Sequence, residues 1–189
     1  PISVSSVNVE LMNMYLEIQN ISPKLTVPLL RIENAVKDMQ QLSETLLWLD
    51  HEGGSSIEST QFDLKSAINT IVSDSRYLLT NKNVDITINC ENSNITCNFP
   101  SFKIVLGNIV RNAMQYTSNG IIEISLDKKM ALIKNVDSNE TPVNAVNVDN
   151  SDYGYGLGLI LVEKICNKGH WKYSTSNIVG GREVKILFK

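Results

Sequence analysis

The sequence contains few cysteines, and they are not paired. Its three cysteines, Cys90, Cys97 and Cys166, form no CxxC motif. An odd number at these spacings disfavours a disulfide framework and a cysteine-based zinc site. We therefore expect a protein of a reducing compartment, the cytosol.

Long apolar runs are also missing. No stretch approaches the roughly 20 apolar residues of a membrane-spanning helix, and the first residues, PISVSSVNVE, lack the charged and apolar blocks of a signal peptide. We expect residues 1–189 to be a cytoplasmic portion. A chain that opens on Pro1 reads as a fragment of a longer protein.

The sequence carries no excess of positive charge. Seventeen Lys and Arg stand against 20 Asp and Glu, for a net charge of −3. Without a basic field to hold a polyanion, nucleic acid is not an expected partner. The length and the apolar fraction of 42% are enough for one main core with a smaller appendage.

The appendage is predicted at the N-terminus as two amphipathic helices. Apolar residues recur at spacings of three and four on each side of a polar break at Asn20–Lys24. The first stripe is Val4, Val7, Leu11, Met14 and Ile18; the second is Leu25, Leu29, Ile32, Val36, Met39, Leu42, Leu46 and Leu49. We expect these helices to form an antiparallel hairpin. Its apolar stripes need a partner, which the hairpin of a second copy would supply, so we expect a homodimer in the intact protein. The linker Gly53-Gly-Ser-Ser56 separates a domain at 1–53 from one at 57–189.

The second domain interleaves strands with helices, which predicts an α+β fold of two layers. The expected helices are Leu64–Leu79, Phe102–Tyr116 and a third that ends near Asn167; the expected strands are Thr60–Asp63, Val84–Cys90, Ile95–Asn98, Ile121–Leu126, Met130–Lys134, Trp171–Asn177 and Glu183–Phe188. A long polar loop, 137–153, precedes the third helix. Loops of this length are often functional.

A glycine-rich turn opens the third helix. Its sequence is Gly154-Tyr155-Gly156-Leu157-Gly158, directly before the apolar run that begins at Leu159. Backbone amides at a helix start favour anions, and glycines let a phosphate chain approach the main chain. The pattern fits a phosphate cradle or, equally, a flexible helix entry.

Three amides form a second candidate site, on the helix Phe102–Tyr116. Asn108, Asn112 and Gln115 stand four and three residues apart, so they share one face. Neutral oxygen donors of this kind coordinate Mg²⁺ that also holds phosphates. The alternative is a solvated surface of an amphipathic helix.

Taken together, the two motifs resemble a known family. The segment Leu106–Thr117, LGNIVRNAMQYT, followed by Gly154–Leu159, GYGLGL, resembles the N box and the second glycine box of sensor histidine kinases, in the GHKL ATPase superfamily. The entry segment QFDL at Gln61–Leu64 and the pair Gly180-Gly181 resemble further parts of that catalytic domain, and LLWLDHE at Leu46–Glu52 resembles the end of a dimerisation helix. The resemblance implies the GHKL (Bergerat) two-layer α/β sandwich.

The resemblance also implies roles for residues. Asn112 is the expected Mg²⁺ ligand, Asn108 contacts phosphate, and Tyr116 packs beside ATP. The nucleotide-contacting set that it implies is Asn108, Asn112, Gln115, Tyr116, Asn135, Gly154, Tyr155, Gly156, Leu157 and Gly158, with loop 137–153 as the ATP lid.

Two motif positions depart from the family. Gln115 replaces a lysine or arginine that faces the phosphates, and the first glycine box reads Asn135-Val-Asp137-Ser-Asn139, without its glycines. Asn135 holds the adenine-reading position, where an amide offers a donor as well as an acceptor.

No phosphoacceptor histidine is expected within residues 1–189. Pro1 matches the proline that ends the family's histidine motif, which puts the histidine upstream. His51 and His170 lack the setting of an acceptor.

The sequence thus predicts the ATP-binding portion of a two-component histidine kinase, anchored in the bacterial inner membrane when intact. ATP and Mg²⁺ serve the transfer, and a response-regulator receiver domain takes the phosphoryl group. The alternative is a degenerate GHKL module that acts as a dimeric scaffold.

Overall fold

The computed structural model describes residues 58–138 and 157–189, together with Ile32, Val36, Met39 and Ser43. The chain divides into two compact units, Pro1–Ser56 and Ile57–Lys189. In the first unit the four described residues are helical. Val36 is buried there, whereas Ile32 and Met39 are exposed. The rest of the predicted hairpin lies outside the described residues, as does the linker.

The second unit alternates strands and helices along the chain. The strands are β1 Thr60–Asp63, β2 Asn83–Cys90, β3 Asn94–Cys97, β4 Asn119–Leu126, β5 Met130–Asp137, β6 Lys172–Ile178 and β7 Gly181–Leu187. The helices are α1 Leu64–Ser75, α2 Phe99–Tyr116 and α3 Leu157–Lys168, and a 3-10 turn spans Arg76–Leu79.

Five of the described strands form one mixed sheet in the order β2-β4-β5-β7-β6. β2 runs parallel to β4, and the remaining neighbours pair antiparallel. β1 and β3 form a separate antiparallel ribbon. β5 is therefore the central strand, with β4 on one side and β7 on the other.

The helices cover one face of this sheet. On β4, Ile122, Ile124 and Leu126 are buried, while Ile121 between them is 49% exposed. This alternation of period two is the pattern of a sheet with one covered face. The same face contributes Ala131, Ile133, Val184 and Ile186 to the core, against buried residues of all three helices. The predicted two-layer α+β sandwich is confirmed.

The middle helix, α2, begins earlier than the apolar spacing predicts. Asn98 caps it, with its Oδ1 accepting from the amide of Ser101 at 2.8 Å, and Pro100 occupies the first turn. A proline there needs no donor, and an asparagine cap satisfies a free amide. The helix therefore starts at Phe99 instead of Phe102.

The predicted helix Leu64–Leu79 is interrupted. α1 ends at Ser75 and continues as the 3-10 turn. Arg111 on α2 donates from Nη1 to the hydroxyl of Tyr77, which attaches this turn to α2. Apolar spacing alone does not distinguish the two helix types, because both place every third or fourth residue on one side.

In the described part of the chain, no helix has the length and hydropathy needed to cross a bilayer.

Candidate functional site

The amide-bearing residues occupy the C-terminal half of α2. Asn108 is 5% exposed, Asn112 and Gln115 are half-buried, and Tyr116 at the helix end is 53% exposed. α2 packs between α1, α3 and the sheet. Asn108 is therefore a buried polar side chain, and the solvated-surface interpretation does not apply to it.

Asn108 lies against the start of α3. A Cβ placed on Gly158 would come within 2.6 Å of Asn108 Oδ1. The other end of the amide is fixed, because Nδ2 donates to the carbonyl of Ile104 at 2.7 Å. Asn108 and Gly158 are fifty residues apart in the sequence, yet the side chain of the first lies against the backbone of the second.

The glycine-rich turn is described in part. Leu157 is the first residue of α3, and Gly158 follows it. Gly154, Tyr155 and Gly156 lie outside the described residues, as does most of the predicted lid. The described segment places the start of a twelve-residue helix beside Asn108. Free amides and the positive end of the helix dipole lie at such a start.

Asn135 lies on the helix-facing side of β5, at the end of α2. Its Nδ2 donates to Thr117 Oγ1 at 3.2 Å. Thr117 is fully buried and donates its own hydroxyl hydrogen to the carbonyl of Ala113 at 2.8 Å. A short hydrogen-bond chain therefore runs from β5 into the last turn of α2.

Sequence reasoning missed Arg182, which pairs with Asn135 across the sheet. Arg182 has the same strand parity as the buried Val184, so it points to the helix-facing side, yet it is exposed. The described residues therefore leave Arg182 itself uncovered on this face. Gly181 makes the pairing possible, because a Cβ there would collide with the carbonyl of Asn135. The signal in the sequence was the basic residue directly after Gly180-Gly181.

Asp137 stands where the family's first glycine box has a glycine. The residue is 6% exposed, and its Oδ2 accepts from the amides of Ser118 at 2.5 Å and Asn119 at 3.3 Å. The carboxylate thus stabilises the turn between α2 and β4. Its backbone amide donates to the carbonyl of Gly180 at 2.7 Å.

A lysine neutralises the end of α2. Lys82 Nζ donates to the carbonyls of Met114 and Gln115, each at 2.8 Å. An ammonium at a helix C-terminus is favourable, since the carbonyls there lack partners within the helix. Burial lowers the pKa of Lys82, and the nearby Asp137 carboxylate opposes that shift. The ammonium group of Lys82 is therefore bonded to the end of α2.

Another surface feature carries none of the motif residues. A shallow groove lies between the ends of β2, β4 and β5, lined by Asn89, Cys90, Glu91, Ser125, Leu126, Asp127 and Met130. Leu126 and Met130 are at the opposite ends of β4 and β5 from Asn119 and Asn135. Across residues 58–138 and 157–189, no group of three or more His, Cys, Asp or Glu is placed to bind a metal.

Comparison with known proteins finds similarity in structure. No protein-family model matches the sequence, and none of the curated proteins compared matches it. The fold is similar to Acinetobacter baumannii histidine kinase AdeS, with a TM-score of 0.61 and 18% identity over 98% of this chain and 95% of that one.

Two further solved structures show the same likeness. The cytoplasmic segment of histidine kinase QseC has a TM-score of 0.60 and 17% identity, covering 81% of this chain and 94% of that one. The catalytic domain of histidine kinase ThkA has a TM-score of 0.56 and 22% identity, covering 69% and 95%. Together with the five-stranded sheet and its helices, these similarities establish that the chain has the GHKL-type α+β fold of sensor histidine kinase catalytic domains.

Proposed function

We propose that this chain is the ATP-binding portion of a two-component sensor histidine kinase. The observation that carries the proposal is the contact between Asn108 and Gly158. The segments that resemble the N box and the second glycine box are fifty residues apart in the sequence and meet in the fold, as a single nucleotide site requires. Here the buried amide of the first lies on the backbone of the second.

The site divides into a base side and a phosphate side. Asn135 and Arg182, on neighbouring strands, would face the adenine, with Tyr116 beside it. Asn108, Asn112 and Gln115 on α2, with Gly154, Tyr155, Gly156, Leu157 and Gly158 before and at the start of α3, would surround the phosphates. Phosphoryl transfer depends mainly on positioning and charge neutralisation. The phosphate side offers amides and backbone donors, and a bound Mg²⁺ would supply the positive charge.

Mg²⁺ fits the site only in the company of nucleotide. Asn112 is half-buried on the face that carries Asn108 and supplies a neutral oxygen. Mg²⁺ commonly takes one or two protein ligands and completes its shell with phosphate oxygens and water. Asn112 is the ligand we propose, and the ion would neutralise phosphate charge there. The absence of a carboxylate cluster from the described residues fits a metal that arrives with its phosphates.

The remaining assignments follow the resemblance. We propose a homodimer through the helical hairpin, a phosphoacceptor histidine upstream of Pro1, and a receiver domain as the final acceptor. Ile32 and Met39 belong to the predicted apolar stripe and are exposed in the described part of the hairpin unit, which supports a partner there. Of the two histidines in the chain, His170 follows the end of α3, has a φ of 57° and is exposed.

A second candidate is a degenerate module that binds no nucleotide and serves as a scaffold. Two observations favour it. Gln115 provides no charge to the phosphates, and Asp137 puts a buried carboxylate in place of a motif glycine. The turn that Asp137 stabilises shows a structural reason for the substitution that does not require loss of the site.

Substitution of the proposed metal ligand separates the two candidates. Asn112→Ala should remove the Mg²⁺-dependent part of the affinity for a non-hydrolysable ATP analogue. The matched control is Asn89→Ala, an exposed asparagine on β2 at the other end of the sheet, which should bind as the wild type does. Equal Mg²⁺ dependence in Asn112→Ala and the wild type would overturn the assignment of Asn112.

A further inference from the structure

We propose that Thr117 is a positioning residue for base selection. It holds the amide of Asn135 in one orientation, so that Oδ1 alone is presented to the base and an exocyclic amino group is selected there. The inference rests on the proposed nucleotide site and extends it to Thr117, the last residue of the segment that resembles the N box, to which the sequence analysis assigns no role. Its starting point is the hydrogen-bond chain from Asn135 through Thr117 to Ala113.

The orientation follows from counting hydrogens. A threonine hydroxyl has one hydrogen and two lone pairs. The hydrogen of Thr117 is used on the carbonyl of Ala113 at 2.8 Å, so its oxygen can only accept from Asn135. The atom of Asn135 that faces it must therefore be the donor Nδ2, as the 3.2 Å contact has it.

The opposite orientation loses a hydrogen bond in either of two ways. A flipped amide would place Asn135 Oδ1 against Thr117 Oγ1. Both oxygens would then be acceptors, because the hydroxyl hydrogen of Thr117 is donated to Ala113. Rotation of the hydroxyl towards Oδ1 would abandon Ala113 inside a site where Thr117 is 0% exposed and water does not compensate. An asparagine held in this way offers an acceptor, as an aspartate does.

Oδ1 is left for a ligand. The buried side-chain polar atoms without a partner, within the described residues, are Ser93 Oγ and Ser101 Oγ. Asn135 Oδ1 is not one of them, and the side-chain bond to Thr117 uses Nδ2 instead. Asn135 is half-buried, and Arg182, its partner across the sheet, is exposed, so Oδ1 is the atom of this amide that a ligand can use. An acceptor there pairs with the 6-amino group of adenine and repels the 6-oxo group of hypoxanthine.

The experiment compares two nucleotides that differ at this group. The full 189-residue chain, as wild type, Thr117→Val and Thr117→Ser, is titrated with Mg-ADP and Mg-IDP. Valine keeps the buried shape and removes the hydroxyl, while serine keeps the hydroxyl. Arg182 offers the same donors in every variant, so the comparison isolates Thr117.

We expect the wild type and Thr117→Ser to prefer ADP over IDP. In Thr117→Val the amide is released and can turn Nδ2 to the 6-oxo group, so the preference should fall by about fivefold, the loss of one net hydrogen bond. A valine variant that binds ADP and keeps the wild-type preference would overturn the inference and leave the proposed function intact. A wild type that binds neither nucleotide would overturn both.

A ligand-free measurement makes the inference testable on its own. The Nδ2 resonances of Asn135, identified by their loss in Asn135→Ala, should shift and exchange faster in Thr117→Val and stay in place in Thr117→Ser. Unchanged resonances in a folded valine variant would contradict the positioning role.

Discussion

Asn108 Oδ1 occupies the space that a side chain at Gly158 would need, since a Cβ there would lie 2.6 Å from that oxygen. Gly158→Ala must therefore displace an amide that is 5% exposed and bonded to Ile104. We predict a loss of about 1–2 kcal/mol in the free energy of unfolding, the ordinary cost of overfilling a packed site. Urea denaturation measures it.

Gly107→Ala is the matched control for that prediction. Gly107 is one residue before Asn108 on α2, and a Cβ there meets no atom within 4 Å. Alanine is favoured over glycine in a helix, so this variant should gain about 0.5–1 kcal/mol. Equal effects of the two substitutions would show that the contact with Asn108 imposes no constraint.

Arg182 is expected to contribute to nucleotide affinity. It is exposed on the helix-facing side of β7, directly across from Asn135, and its charge lies where a ligand would enter. Arg182→Ala should weaken the binding of an ATP analogue by about three- to tenfold, and Arg182→Lys should keep part of it. Calorimetric titration at two salt concentrations measures both the loss and the electrostatic share.

Lys185→Ala provides the control for charge alone. Lys185 carries the same charge on the same strand, but its parity puts it on the outer face of the sheet. Its removal should leave the affinity unchanged. If both substitutions weaken binding equally, net charge rather than position explains the effect.

The end of α3 stores backbone strain in a histidine. His170 has a φ of 57°, in the left-handed region that favours glycine. His170→Gly should raise the free energy of unfolding by about 0.5–1 kcal/mol, because the relieved strain exceeds the added entropy of the unfolded chain. Asn81→Gly, at a φ of 64°, should gain less, since asparagine tolerates this region. A larger gain at Asn81 than at His170 would contradict this account.

The buried thiols of Cys97 and Cys166 should make the free energy of unfolding depend on pH in the alkaline range. Burial raises the pKa of Cys97 to about 11 and that of Cys166 to about 12, from the ordinary thiol value of 9.0. Between pH 9 and 11 the unfolded chain loses thiol protons that the native state keeps, so these groups lower stability as pH rises and have no effect below pH 8.

The measurement is urea unfolding at pH 8 and pH 10. The wild type should lose more stability over this interval than Cys97→Ala/Cys166→Ala. At pH 8 a thiol reagent should modify the half-buried Cys90 before the other two, although its pKa is also raised, by burial first. Identical pH dependence in both proteins would refute the assignment of the fall to these thiols.

Much of the fold was predictable from the spacing of apolar residues. Alternation with a period of two indicates a strand with one buried face, and spacings of three and four indicate a helix with one buried face. The strand Thr60–Asp63 and the end of α2 at Tyr116 are as predicted. The ends of helices and strands that depend on single hydrogen bonds were not predictable in this way. The start of α2 depends on the Asn98 cap, and the extension of β5 beyond Lys134 depends on its pairing with Ile122 and Arg182.

The candidate site was predictable where neighbours in space are neighbours on one helix. Asn108 and Asn112 follow from helical spacing. No role for Arg182 or Thr117 was predicted, because the relation of Arg182 to Asn135 comes from strand register, and that of Thr117 comes from the packing of β5 against the end of α2. The sequence carries no periodic signal for such contacts between distant elements.

The most direct test of the central claim is calorimetric titration of the 189-residue chain with a non-hydrolysable ATP analogue, with and without Mg²⁺. We expect saturable binding that is clearly stronger with Mg²⁺, because the ion would be held by Asn112 together with the phosphates and would neutralise their charge. No binding of the analogue by the folded protein, in either condition, would contradict the account and favour a scaffold that has kept only the fold.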